Sequence, residues 1–323
     1  PPSVSSAASD VYKRQDFIVN EKFDYLSEQM RPQGVSSMVT IQEGCDKFCS
    51  FCVVPYTRGP EYSRSIKSIS DEVKLLSQKG AKEIVFLGQN VNAYNDKSNN
   101  DNAKLSDLIR AISEFDSVKR IRYTTSHPIN MDEELIQEHK NNMKLMPFLH
   151  LPVQSGSESI LKKMNRKYDP DFYRRTIDRL KKAKPDIEIS SDFIVGYPGE
   201  TDQDFNDTLK LIDDIEFTQS YSFIYSSRPG TKSSTEADST PISVKKERLL
   251  VLQEKLKKIQ YSFNNQFCNK TVKVLIENQS SSNPEYFFGR TPFMQSVYIK
   301  SNDLVPGHEK DIDITSCNHK SLY

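Results

Sequence analysis

The 323-residue sequence predicts an α/β fold: a parallel sheet flanked by helices and curled into a barrel or partial barrel, followed by a small antiparallel β module. Three observations predict it. Six short apolar runs alternate with segments of helical periodicity from Ser36 to residue 226. The loops rich in Gly, Pro, His and Cys all follow the C-terminal ends of those runs. Beyond residue 268 the pattern changes to short alternating stretches.

SMVTIQ, from Ser36, is the first strand. Ser70-Asp71-Glu72-Val73 then opens a helix with a capping-type residue and early acids, and Lys79-Gly80 closes it. EIVFLG (83–88) is an apolar run bounded by glycine, hence a buried strand. Leu105, Leu108, Ile109, Ile112 and Phe115 mark one face of a helix. RIRYTT (120–125) is the third strand, 131–140 a helix, and FLHLPV (148–153) the fourth strand. Asp169-Pro170 supplies an N-cap and a proline at the first helical position, starting a helix to about Lys182. IEISSDFIVG (187–196) is the fifth strand, Thr201 to Asp204 a capping box for the next helix, and QSYSFIYS (219–226) the sixth strand. Strands alternating with helices require parallel pairing, with chemistry at the C-terminal strand ends. The cysteine loop, GQN, TTSHP, PVQSGS and GYPGET all fall there, which argues for one site.

Leu249, Leu252, Leu256, Ile259, Phe263 and Phe267 describe a long amphipathic helix that connects the two parts over 243–268. TVKVLIEN, YFFGRT, MQSVYIK and DIDITSC then make an all-β module over 269–323, the size of a small barrel. The barrel occupies 36–242. Residues 1–15, PPSVSSAASDVYKRQ, lack apolar periodicity and read as a disordered or non-native leader, with 16–35 a linker.

Charges balance at 44 basic and 44 acidic residues, so bulk electrostatics announce no nucleic-acid partner. Locally, Ile160–Lys184 carries ten Lys/Arg against three Asp. That run reads equally as a phosphate-attracting patch or as a solvated helix face. The β module is neutral, with six cations and six acids from Cys268 to Tyr323, and gains little from counterion release. Tyr286, Phe287, Phe288 and Phe293 are suited to stacking on bases or, for most of them, to core packing. No apolar run approaches a membrane span, and the N-terminus lacks a secretory pattern. Five cysteines, three of them in one loop, suit reduced thiols in the cytoplasm better than a disulfide framework. Cys268 and Cys317 read as structural.

Cys45, Cys49 and Cys52 lie within eight positions. A tetrahedral zinc site would need a fourth ligand, for which His127 is a candidate. A redox CxxC at 49–52 leaves Cys45 without a role. A cubane cluster held by three cysteines would leave one iron open to a substrate or cofactor.

The spacing C-x3-C-x2-C, with Phe51 before the last cysteine and a position after the first strand of a βα barrel, resembles the radical S-adenosylmethionine (SAM) superfamily. CVVPYTRGPEYSR, LGQNVNAY, TTSHP, HLPVQSGSESILKKMNRKY and DFIVGYPGET are together similar to the methylthiotransferases of the MiaB type, over about residues 16–323. The resemblance implies a radical SAM partial (β/α)6 barrel with a TRAM-like β domain that grips RNA. It implies a [4Fe–4S] cluster on Cys45, Cys49 and Cys52, with SAM on the open iron and a 5′-deoxyadenosyl radical released by one electron. Gln154 would meet the ribose or the methionine part. Arg166 would pair with the methionine carboxylate, and Asp192 would accept from the ribose hydroxyls. The Phe51 backbone and Gly88-Gln89 would flank the adenine and the methionine amino group.

The implied reaction adds a methylthio group to C2 of N6-isopentenyladenosine at position 37 of tRNA, and VVPYTRG favours that substrate. Alternatives are threonylcarbamoyladenosine tRNA, a ribosomal protein, or a non-catalytic zinc-containing RNA-binding module. Hydrogen abstraction needs no strong base. His127 and His150, at strand ends, are the acid–base candidates, each suited also to a structural role. The partners expected are tRNA, SAM and an electron donor such as a flavodoxin, with a monomeric, cytoplasmic enzyme. The family carries a further N-terminal domain with three cysteines and a second cluster tied to sulfur insertion. No cysteine precedes Cys45, so the chain is expected to be a fragment lacking that centre.

Overall fold

The computed structural model describes residues 34–98, 102–281 and 283–323. The expected leader 1–15 and nearly all of the 16–35 linker lie outside the described residues.

Six parallel strands carry the first part: β1 (Ser36–Thr40), β2 (Glu83–Leu87), β3 (Arg120–Tyr123), β4 (Phe148–His150), β5 (Glu188–Val195) and β6 (Gln219–Ile224). They pair in sequence order as two three-stranded ladders, β1-β2-β3 and β4-β5-β6. A parallel bridge between Ile121 and Leu145 joins the two. Eight α-helices lie among the described residues: α1 (Val54–Arg58), α2 (Ile66–Gln78), α3 (Leu105–Ser113), α4 (Glu133–Asn141), α5 (Glu158–Lys163), α6 (Pro170–Ala183), α7 (Asp202–Ile215) and α8 (Ile242–Asn265). The fold is the expected partial barrel, and no helix among the described residues is long and apolar enough to cross a membrane.

Strand alternation sorts the side chains. Val39, Ile84, Phe86, Ile121, Tyr123, Leu149, Ile189 and Phe193 point outward and pack with Val73, Leu108, Ile112, Ile177 and Leu211 from the helices. Each such fully buried side chain contributes about 1.5–3 kcal/mol. The opposite, lumen-facing positions are in register as Met38–Val85–Arg122 and Asp192–Tyr221. There Met38 and Tyr221, on the two outermost strands, are exposed.

Most predicted starts hold to within a few residues, with one informative exception. The second helix begins at Ile66, not near Ser70, because Ser65 takes an extended backbone and accepts from the Ser68 amide. Ser70 lies one turn inside the helix. The Asp169 cap and the Thr201/Asp204 capping box form as expected. The short helices α1 and α5 had no clear periodic signal, being five and six residues long.

Among the described residues the C-terminal module has five strands: β7 (Thr271–Gln279), β8 (Tyr286–Arg290), β9 (Ser296–Lys300), β10 (Glu309–Asp313) and β11 (Ser321–Leu322). Their order is β10-β7-β8-β9-β11, antiparallel except for β11, which runs parallel to β9. Phe287 is in its core. Phe293 packs on Phe263 and Phe267 at the end of α8, with ring centroids 6.0 and 5.7 Å away, so neither ring is free to stack on a base.

The module seals the floor of the barrel. Arg122 donates to the Pro292 and Thr291 carbonyls at 2.9 and 3.0 Å. Arg120 reaches the Arg290 carbonyl at 2.8 Å and Glu309 at 2.7 Å. The RIR triplet of β3 is thereby a docking element whose guanidiniums point away from the helices and down into the module.

Candidate active site

At the opposite end, the strand tips assemble around the cysteine loop. Gln42, fully buried, is the staple. Its Oε1 accepts from the Gln89 and Asn90 amides at 2.9 and 3.0 Å, while its Nε2 donates to the Gly44 carbonyl at 2.7 Å. Gln89 returns the tie, its Oε1 accepting from the Gly44 amide at 2.7 Å. Gly44 sits at φ +75°, where a Cβ would lie 2.0 Å from the Pro60 carbonyl oxygen, so only glycine fits. Gly88 is also pressed against Gln42, a Cβ there lying 2.7 Å from its Oε1. Gly88 and Gln89 thus shape the loop through Gln42. Reasoning from sequence missed Gln42, whose only signal is an amide side chain at the end of an apolar strand.

Cys45, Cys49 and Cys52 are all free thiols, each half-buried. Burial pushes the Cys45 thiol up to about 11, against the opposing backbone amide of Lys47. Burial also raises Cys52, and the Val54 amide and Arg166 pull the other way. Such thiols are poor free nucleophiles; cation coordination is what would ionise them. Among the described residues no three His, Cys, Asp or Glu side chains converge so as to share a single metal ion. A cubane asks instead for one thiolate at each of several iron corners, and three half-exposed thiols spaced along one tied loop fit that demand.

Arg166 is buried against this loop. Its Nη1 donates to Cys49 Sγ at 3.5 Å, Nε to Tyr168 Oη at 2.8 Å, and Nη2 to the Pro152 carbonyl at 2.7 Å. The guanidinium expected to meet a carboxylate is therefore fixed on protein partners, with one edge towards a cysteine sulfur. Phe51 packs with Ile160, Met164 and Tyr197.

Gln154 takes φ +76°, a conformation costly for a side chain of its kind. Its amide donates to the Asp192 carbonyl at 3.0 Å and its carbonyl accepts from Ile194 at 2.9 Å, which ties the two expected contact residues together. The Asp192 carboxylate lies 3.6 Å from His150 Nε2, and His150 Nδ1 is 2.9 Å from Ser190 Oγ. His127 is held elsewhere: Asn92 and His127 exchange two hydrogen bonds, at 2.9 and 2.8 Å. Its Nδ1 accepts from Ile129, and its ring meets Tyr168 edge-on. Burial, with Arg166 and Lys47 nearby, drives His127 down to about 2, so it stays neutral. The zinc alternative that needed it as a fourth ligand gains no support from this placement.

Comparison with known proteins agrees with the geometry. The family model described as the radical SAM superfamily matches residues 39–212. The tRNA-2-methylthio-N(6)-dimethylallyladenosine synthase of Rickettsia bellii (strain RML369-C) is 52% identical over 309 residues, which cover 95% of this chain and 69% of that protein. Among solved structures, coproporphyrinogen III oxidase from Escherichia coli, a radical SAM enzyme, superposes with TM-score 0.55 at 14% identity, over 88% of this chain and 75% of that one. The radical SAM methyltransferase TsrM from Kitasatospora setae, with cobalamin and a [4Fe–4S] cluster bound, gives 0.51 at 18% identity, over 62% and 39%. These two distant likenesses bear on the fold, while the Rickettsia match bears on the family. The chain belongs to the radical SAM superfamily and, within it, to the methylthiotransferases of the MiaB type.

Proposed function

We propose that this chain carries the radical SAM barrel and C-terminal β module of an enzyme that adds a methylthio group to C2 of N6-isopentenyladenosine at position 37 of tRNA. The observation that carries this reading is the 52% identity with the Rickettsia synthase, sustained across 309 residues. Family membership brings the cofactors with it, a [4Fe–4S] cluster and SAM. Cys45, Cys49 and Cys52 would hold the cluster and leave one iron for SAM. When bound, the cluster supplies the electron that cleaves SAM. Everything else is work for the chain.

Gln42, Gln89 and Gly44 fix the loop before the first cysteine. Arg166 sets a permanent cation beside Cys49, offsetting the negative charge that a ligating thiolate brings. Gln154 and Asp192, joined through their backbones, would meet the ribose and methionine parts of SAM from the strand ends. Phe51, Gly88 and Gln89 would border the adenine and the amino group. The target base would enter at the end that carries the cysteine loop, opposite the docked module. An electron donor such as a flavodoxin would serve a monomeric, cytoplasmic enzyme.

Anaerobic reconstitution with iron and sulfide tests the reading. About four irons per chain are expected, lost in a Cys45→Ala, Cys49→Ala, Cys52→Ala variant, with 5′-deoxyadenosine released on adding reductant and SAM. Stoichiometric zinc without iron would overturn it. Mass spectrometry of tRNA from cells with and without the gene checks the substrate.

A further inference from the structure

We propose that Phe48 and Tyr56 form a stacking platform at the mouth of the site for an unpaired base of an RNA loop, neighbouring the base that enters the lumen. This rests on the tRNA reading above and adds the surface that would hold the loop. Phe48 lies between Cys45 and Cys49, and Tyr56 follows Cys52 on α1. Their rings meet edge to face, with centroids 5.9 Å apart and planes at 78°. Both are half exposed, at 50% and 55%. Single exposed apolar residues are ordinary on any surface and need no explanation. This pair differs in three respects.

Phe48 is held outward at a cost. Its φ is +49°, a left-handed conformation unfavourable for an aromatic residue. The Asn165 side chain pins it there, donating to the Phe48 carbonyl at 2.8 Å. Next, α1 buries none of its side chains, so the helix that presents Tyr56 has no core of its own to serve. Finally, cations border the pair. Arg58, 54% exposed on the same short helix, lies 3.7 Å from Glu43. Lys162 and Lys167, both exposed, flank the Asn165 turn that holds Phe48. Rigid, outward aromatic faces bordered by cations match an unpaired nucleotide, whose base stacks and whose phosphate pairs. A double-stranded segment offers no such base face.

The test is binding of a labelled RNA hairpin with an adenine-containing loop, measured by fluorescence anisotropy, beside a fully paired duplex of matched length. Tyr56→Ala and Phe48→Ala should each weaken hairpin binding about tenfold and leave duplex binding unchanged, with Tyr56→Phe retaining wild-type affinity. Tyr56→Ala is the safer variant, since Phe48 adjoins the cysteines; visible absorbance of the reconstituted protein verifies that the loop is intact. Hairpin affinity unchanged in Tyr56→Ala overturns the platform alone, leaving a protein segment as the partner of these rings. A wild-type chain that cleaves SAM yet binds neither RNA overturns the tRNA reading and the platform together.

Discussion

Arg122 on β3 donates through Nε to Glu83 Oε2 on β2 at 2.7 Å, and both side chains are buried where the C-terminal module meets the barrel floor. Burial alone would raise the Glu83 carboxyl, but Arg122 and Ser36 hold it below the ordinary range. Because Arg122 also serves the Thr291 and Pro292 carbonyls, one guanidinium satisfies three separate partners. Arg122→Met removes the ion-pair partner of a buried carboxylate and should cost about 3–5 kcal/mol. Adding Glu83→Gln should recover part of that loss. Urea denaturation of the single and double variants measures both. A single variant as stable as the wild type would mean that the floor does not hold the module.

Gly44 and Gly80 both have positive φ, +75° and +103°, but differ in surroundings. A Cβ on Gly80 meets nothing within 4 Å, whereas one on Gly44 would overlap the Pro60 carbonyl. Gly80→Ala should therefore cost only backbone strain, about 1–2 kcal/mol. Gly44→Ala should displace the cysteine loop and lower iron incorporation severalfold while far-UV circular dichroism stays close to the wild type. Equal iron loading in the two variants would contradict this account of the loop.

Much of the scaffold was legible in the sequence because its signals are local. Asp169-Pro170 and Thr201/Asp204 act over three residues, and the strand runs are continuous apolar segments. The cysteine spacing likewise pointed to the loop. What stayed hidden depends on contacts between distant segments. Nothing near Arg120 or Arg122 announces carbonyls about 170 positions away. Gln42 acts through Gln89 and Asn90, 47 and 48 positions on. Arg166 was legible as a candidate, yet its contact with Cys49 joins residues 117 apart. Ser70 misled because Ser65, five residues earlier, offers the same capping chemistry with the extended backbone that a cap requires.

His139 is fully buried on α4, its Nε2 2.7 Å from the Tyr123 hydroxyl. Burial, with Lys184 adding to it, lowers it from 6.5 to about 3. Below pH 6.5 the unfolded chain takes up a proton that the folded chain refuses, so this site's contribution to stability falls as pH drops towards 3. The slope is at most about 1.4 kcal/mol per pH unit. Comparing urea midpoints of the wild type and His139→Gln between pH 7 and about pH 5 should show the variant losing less over that interval. Parallel curves would remove His139 as the cause.

Asp204 ties α7 to the PVQSGS loop. Its carboxylate accepts from the hydroxyls of Ser157, Ser159 and Thr201, and from the Thr201 amide at 2.9 Å. Burial opposes its charge, but these hydrogen bonds prevail and hold the carboxyl at about 2, below its ordinary 3.8. Its stabilising contribution is therefore present above pH 3.8 and lost as pH falls through about 2. Asp204→Asn can accept through only one oxygen and should cost about 2–3 kcal/mol at neutral pH. The loop beginning at Gln154 should loosen with it, since Ser157 caps α5 directly after that loop. Hydrogen exchange at residues 154–160 measures the loosening, and urea denaturation measures the cost. Wild-type protection in that loop, alongside a lowered midpoint, would confine the role of Asp204 to its own helix.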